Sequence, residues 1–270
     1  MSSNPDDLTV FERALTRYSR VLGLKVDVKM AVKVEALQRK IMDDVKRLLE
    51  GQGLDGVTLS DLLARLSNAG LLRDYIVYIG RELNDEVDPD KAEEGLAKAL
   101  EGDVESRGAK SALLAFQAVA RALAEAYEGF KGTIEDDSPY CPLCGSESRT
   151  MVRRDDGFHM VCHMCGLEWR VSGDSLRCPY CGNANPFSVG LFTDKDRRLG
   201  LAYCQECGST WRVILDSDMA SAPRVLLPLL ALAAERLRGA LPALGGPDEH
   251  AGERPGEGGL NEEGGEPQRG

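Results

Sequence analysis

The chain has 270 residues, 43% of them hydrophobic, and a formal net charge of −11. That length accommodates one ordinary domain plus something smaller, with ample apolar material for a core. The acidic balance repels phosphates and weighs against a nucleic-acid partner, and the longest apolar run, Val225–Ala234, is broken by Pro228 and too short to cross a bilayer.

Residues 1–136 contain no cysteine and read as a helical domain. Phe11, Ala14, Tyr18 and Leu22 form a helical stripe after Asn4-Pro5-Asp6, and Met1–Leu24 lacks the basic start and apolar core of a secretory leader. Val34, Leu37, Ile41, Val45 and Leu48 predict a second helix that stops at Gly51. A third, capped by Ser60, carries Leu62, Leu63 and Leu66 and breaks near Gly70; Leu71–Leu83 continues as a separate apolar segment. Asp88 and Pro89 suit the cap and first turn of a short helix ending near Gly102. Leu113, Phe116, Ala120, Leu123, Tyr127 and Phe130 make the clearest stripe, closed by Gly132. These side chains read as the core of a helical bundle. Gly51–Gly56 spells the dinucleotide fingerprint G-x-G-x-x-G but follows a helix instead of a strand, so it reads as a loop.

All eight cysteines lie between residues 141 and 207, as four Cys-x-x-Cys units: Cys141/Cys144, Cys162/Cys165, Cys178/Cys181 and Cys204/Cys207. Each unit is followed by glycine (Gly145, Gly166, Gly182, Gly208), which lets the chain leave the turn at positive φ. Such turns bring two thiolates to one metal, so two turns close a tetrahedral four-sulfur site and four imply two ions. The segment is a tandem duplication. Cys-Pro-Leu-Cys-Gly from Cys141 matches Cys-Pro-Tyr-Cys-Gly from Cys178, and the only two tryptophans, Trp169 and Trp211, each lie four residues past a unit's last cysteine. Sequential pairing of the turns explains this similarity more simply than a cross-braced arrangement. Disulfides would need an oxidising compartment, and redox pairs would need a βαβ context; neither is indicated.

Short β-type runs separate the turns: Arg149–Arg153, Phe158–Cys162, Leu167–Val171, Phe187–Phe192, Leu199–Tyr203 and Thr210–Leu215. The expected organisation is α+β: a helical domain (1–136), two tandem rubredoxin-like or zinc-ribbon modules (137–175 and 176–216), a C-terminal helix packing back on the N-terminal part (217–244), and a disordered acidic tail (245–270). That tail carries seven acidic and two basic residues. Arg149, Arg153, Arg154, Arg170, Arg177, Arg197, Arg198 and Arg212 surround the modules; they are read as offsetting anionic metal sites and pairing with nearby Asp and Glu.

No nucleophile elbow, Walker A loop or H-E-x-x-H pattern appears, and the three histidines are His159, His163, inside a Cys-x-x-Cys turn, and His250, in the tail. A closed four-thiolate cage leaves no position for water or substrate, so no catalytic residues are assigned and no enzyme is expected. Zinc would fix a small domain, whereas iron in the same cage would be redox-active; tetrahedral sulfur suits both.

The run Cys162-His163-Met164-Cys165-Gly166-Leu167-Glu168-Trp169-Arg170-Val171 leading to Cys178-Pro179-Tyr180-Cys181, with Cys141/Cys144 upstream and Cys204/Cys207 downstream, resembles the FdhE family of formate dehydrogenase accessory proteins. The resemblance is specific from about Pro139 to Leu215 and architectural before that. It implies a cytoplasmic, chaperone-like maturation factor that binds the catalytic subunit of a molybdenum- or tungsten-dependent formate dehydrogenase, with the eight cysteines holding zinc or iron. The alternatives are a zinc-ribbon module for protein or nucleic acid, and a rubredoxin-like electron carrier.

Overall fold

The computed structural model describes residues 5–50, 57–131 and 134–240. The expectations for Gly51–Gly56, Gly132, residues 241–244 of the C-terminal helix, the tail 245–270 and His250 fall outside what it describes, as does the side chain of Phe130. The helical stripes become α1 (Pro5–Leu22), α2 (Val28–Leu49), α3 (Leu59–Asn68), α4 (Leu71–Leu83), α5 (Ala92–Leu100) and α6 (Ala109–Lys131). Local chemistry sets their limits. Asp27 caps α2 by accepting from the Met30 N–H, and Gly70 and Asn84 bracket α4 in left-handed conformations that stop each helix from running on. The cap of α3 is Thr58, not Ser60. Thr58 is extended and exchanges hydrogen bonds with Asp61 in a capping box, while Ser60 lies inside the first turn. Asp88 does cap a 3-10 turn, Pro89–Lys91, that leads into α5.

In α2 the buried face carries Leu37, Ile41, Val45 and Leu49, and Leu48 is 43% exposed. The same face buries Glu35 and Gln38. An apolar stripe cannot reveal such residues, because they are buried by pairing. The Arg121 guanidinium on α6 grips Glu35 with two 2.9 Å hydrogen bonds and reaches Gln38 at 2.8 Å.

Residues 134–214 fold into one seven-stranded sheet: β1 (Ile134–Glu135), β2 (Thr150–Arg154), β3 (Gly157–Val161), β4 (Glu168–Arg170), β5 (Val189–Thr193), β6 (Leu199–Cys204) and β7 (Thr210–Ile214). Each repeat is a three-stranded antiparallel meander, β2-β3-β4 and β5-β6-β7. The two are joined in parallel through β2 and β7, giving the order β1-β4-β3-β2-β7-β6-β5. The two-residue β1, not foreseen from sequence, pairs with β4 through Ile134 and Trp169.

Strand alternation assigns the two faces of the sheet to different cores. Met151, Met160, Trp169, Ala202, Trp211 and Val213 join the core shared with α2–α6 and with the cysteine turns. Val152, Val161, Leu199 and Ile214 turn to the other face, where Phe11, Leu15, Tyr18 and Leu22 of α1 pack with Leu226, Leu227 and Leu230. Thus α1 shares its core with Val28, Ala31 and Val32 at the start of α2 and with the C-terminal segment. That segment is composite: α7 (Ser217–Ala220), a 3-10 turn Arg224–Leu226, α8 (Leu227–Ala231) and a 3-10 helix Leu232–Ala240. Pro228 sits in the first turn of α8, where its missing N–H has no helical partner to lose.

Candidate metal centres

The four Cys-x-x-Cys turns are built alike. The N–H groups of Gly145, Gly166, Gly182 and Gly208 donate back to the carbonyls of Cys141, Cys162, Cys178 and Cys204 at 2.9–3.0 Å. Those glycines sit at φ between +71° and +74°, the left-handed region that a Cβ disfavours. Each turn thereby directs its two sulfurs to one side. The β2–β3 hairpin carries the first turn to the second, and the β5–β6 hairpin carries the third to the fourth.

The sulfurs gather into two sequential groups, Cys141, Cys144, Cys162, Cys165 and Cys178, Cys181, Cys204, Cys207, with ligand atoms within 4.8 Å of one another in each. Sulfur pairs across the turns lie 3.5 Å (Cys141–Cys165) and 3.4 Å (Cys144–Cys162) apart in the first group, and 3.5 Å (Cys178–Cys207) and 3.7 Å (Cys181–Cys204) in the second. All eight cysteines are free, and the contacts are far longer than a disulfide bond of about 2.05 Å. A tetrahedral ion with metal–sulfur bonds of about 2.3 Å requires sulfur–sulfur edges of about 3.8 Å, so both sets are already close to cage dimensions. The residues fit a four-thiolate metal ion, zinc or iron, at each site.

Sulfurs packed this closely cannot all ionise alone. Hydrogen bonds from Cys141, Cys162 and Cys165 push the Cys144 thiol well below the usual range, while Cys141 and Cys165 are held up by the neighbours they serve. Burial raises Cys178 in the second site. A divalent cation resolves this by favouring the thiolate at every position. Two contacts tune the sulfurs further: the Met164 N–H reaches Cys162 Sγ at 3.3 Å, and the Asn183 amide reaches Cys204 Sγ at 3.6 Å.

The sites differ in their surroundings. Cys141, Cys162 and Cys165 are buried in the core shared with the helices, and Gln117 of α6 approaches Met164 Sδ at 3.8 Å. A cleft of about 310 Å³ beside Cys165 is lined by Arg39, Arg121 and Arg224, each paired with Glu35 or Glu168. In the second site Cys178 and Cys204 are buried in the same core, but Cys207 is half-buried and Cys181 is exposed. Next to it the loop Asn183–Ser188 projects Phe187, 91% exposed.

His163 is exposed and belongs to neither sulfur group. His159 is buried between two carboxylates, with Nε2 2.9 Å from Asp156 and Nδ1 3.2 Å from Glu168. Glu168 is the hub that sequence reasoning missed. It accepts two hydrogen bonds from Arg154 at 2.7 and 2.8 Å and lies 3.4 Å from Arg224. Burial opposes its charge, but hydrogen bonds from His159 and Arg154 and the charges of Arg154 and Arg224 prevail and hold its carboxyl down to about 2. The same Arg154 donates to the Ala220 carbonyl at 2.6 Å, fastening the first module to the C-terminal segment. No spacing rule finds this cluster, whose members meet only when strands and segment assemble. Six of the eight arginines around the modules are in ion pairs: Arg149–Glu147, Arg154–Glu168, Arg170–Glu135, Arg177–Asp137, Arg198–Asp196 and Arg212–Glu235.

No protein-family model matches the sequence, and no curated protein matches it. Among solved structures, the crystal structure of the FdhE protein from Pseudomonas aeruginosa aligns with 89% of this chain and 94% of that one, at a TM-score of 0.55 and 15% identity. The two share a fold: N-terminal helices, a β region carrying both four-cysteine groups here, and a C-terminal helical segment. No helix among the described residues is long and apolar enough to cross a membrane.

Proposed function

We propose that this chain is a metal-binding accessory protein that holds the catalytic subunit of a molybdenum- or tungsten-dependent formate dehydrogenase while that subunit matures in the cytoplasm. The observation that carries this reading is an FdhE-like architecture across 89% of the chain, built around two four-thiolate sites. When bound, each ion supplies a rigid tetrahedral cross-link between two turns. The chain's own residues do the rest. Both sites send sulfurs into the core shared with α2–α6, the first through Cys141, Cys162 and Cys165 and the second through Cys178 and Cys204, and the second also displays Cys181, with Phe187 nearby, outward. Four sulfurs per ion leave no place for substrate, which supports an accessory rather than a catalytic role. The ion-paired arginines and the net charge of −11 support a protein client over nucleic acid.

The test is capture of the purified catalytic subunit by the metal-loaded chain and by a Cys178→Ser/Cys181→Ser variant. Loss of the second ion and of capture together is expected. Undiminished capture by the variant would refute the docking role.

A further inference from the structure

The internal duplication shows what the outer edge of each module's first strand accepts. In the first module β2 takes β7 alongside it in parallel, with Thr150 opposite Arg212, Met151 opposite Val213 and Val152 opposite Ile214. In the second module the equivalent strand is β5, and it ends the sheet: among the described residues nothing pairs with its outer edge. The equivalence holds residue by residue. Met151 faces Met160, two before Cys162, and Leu191 faces Ala202, two before Cys204.

Hydrogen-bond parity shows which groups are free. The Asp194 N–H donates to the Leu199 carbonyl at 3.0 Å, and the Gln205 N–H to the Ser188 carbonyl at 2.8 Å. The even-numbered residues of β5 therefore direct their N–H and C=O groups to β6, and Leu191 and Thr193 direct theirs outward. Proteins normally blunt such an edge with charge, proline or brevity. At the opposite end β1 does so: it is two residues long, ends in Glu135 and runs into Asp136 and Asp137. By contrast β5 is five residues, Val-Gly-Leu-Phe-Thr, without charge or proline.

The adjoining loop is exposed from Ala184 to Phe187 and is held by its own hydrogen bonds. Asn185 Oδ1 accepts from the Phe187 N–H at 3.0 Å, and the Asn183 amide donates to Ser188 Oγ at 2.8 Å and toward Cys204 Sγ. These bonds hold the backbone of Phe187 two residues before β5 and tie the loop to the second metal site.

We infer that the open edge of β5 takes an extended, uncharged segment of the client protein as a further strand, parallel to β5, with Phe187 packing against it. The inference rests on the client-binding reading above and adds the surface and the mode of binding. Backbone pairing supplies affinity in such a complex and alternate side chains supply selectivity. A second copy is the poorer occupant. Head-to-tail stacking would need the outer edge of β4, which β1 covers, and edge-to-edge pairing of β5 brings together two chains of charge −11. The chain's own residues 241–270 are poor strand formers, dominated by Gly, Glu and Pro.

Amide hydrogen exchange on the full-length, zinc-loaded chain, with and without the purified catalytic subunit, tests this. Exchange at Leu191 and Thr193 is expected to slow at least about tenfold in the complex. Leu191→Pro removes an outward N–H without touching the β6 ladder, and Phe187→Ser removes the anchor; each is expected to weaken binding about tenfold or more. Thr193→Lys, which adds an edge charge on an exposed side chain, guards against misfolding of the proline variant and is expected to weaken binding as well. Tight binding with unprotected β5 amides, or full affinity of all three variants, overturns the inference and leaves the client reading standing. Absence of any binding by the unmodified chain overturns both. Protection already present without the client overturns the inference too: if it grows with concentration the edge belongs to a second copy, and if it disappears on deleting 241–270 it belongs to the tail.

Discussion

Trp169 and Trp211 occupy the same position in the two repeats and are both fully buried, yet only Trp169 satisfies its indole N–H, donating to the Ser138 carbonyl at 3.2 Å. Trp211 Nε1 has no acceptor among the described residues. The difference follows from the surroundings of the two meanders. The segment Ile134–Ser138 runs along β4 and offers its carbonyl, whereas β7 is flanked by β2 and β6.

Replacing each tryptophan by phenylalanine should expose this asymmetry. Both variants lose indole packing, but only Trp169→Phe also loses a hydrogen bond and orphans a carbonyl, at an added cost of about 1 kcal/mol. Urea unfolding of the two metal-loaded variants checks it. Equal destabilisation, or a larger loss for Trp211→Phe, would count against the assignment.

Glu168 makes the first module's attachment sensitive to acid. Its carboxyl sits at about 2, against an ordinary value of 4.5. A depressed folded-state value means stabilisation that is complete above the ordinary value and lost as pH falls toward 2. The shift corresponds to about 3 kcal/mol. The stability gap between the unmodified chain and Glu168→Gln should therefore be full near pH 7 and close between pH 5 and 2. Taking the difference cancels acid release of metal, which both proteins share. A gap that does not change over that range would contradict the account.

The Glu35–Arg121 pair is 2% and 8% exposed, joining α2 to α6 beside the first metal site. Glu35→Ala leaves the guanidinium buried with Gln38 as its remaining partner, and is expected to cost about 3–5 kcal/mol. Replacing both residues by methionine should recover most of the loss. A small cost for the single variant in thermal or urea unfolding would show that the pair is not the joint described here.

The unequal burial of the two cages predicts unequal release of their ions. Under a chelator such as 4-(2-pyridylazo)resorcinol, the ion held with exposed Cys181 should leave first, and the ion enclosed by Cys141, Cys162 and Cys165 should follow in a separate, slower phase. Alkylation mapping during the first phase should label Cys181 and Cys207 before Cys144. A single phase, or labelling in the reverse order, would contradict the assignment.

Much of this arrangement was legible in the sequence because it is local. Cys-x-x-Cys-Gly spacing encodes turn geometry within five residues, and the repeat of Pro142/Pro179 and Trp169/Trp211 encodes the duplication. The strands were visible because hydrophobic alternation and the turn glycines delimit them. What was hidden depends on distant partners. Buried Glu35 looks like an ordinary helical glutamate until Arg121 is placed across from it, and Glu168 looks like a strand residue facing solvent until Arg154, His159 and Arg224 converge. The parallel joint between β2 and β7, which fuses two repeats into one sheet, leaves no mark on either strand alone. Thr58 and Ser60 are both competent caps for α3, two residues apart, and only the register with Asp61 decides for Thr58.

The most direct measurement is the metal count by native mass spectrometry of the unmodified chain and of two variants, Cys141→Ser/Cys144→Ser and Cys178→Ser/Cys181→Ser. Two independent cages require two ions in the first and one in each variant, with the second variant retaining its helical core. One ion per unmodified chain, or loss of both ions on removing a single pair of cysteines, would contradict the two-cage architecture on which the proposed function stands.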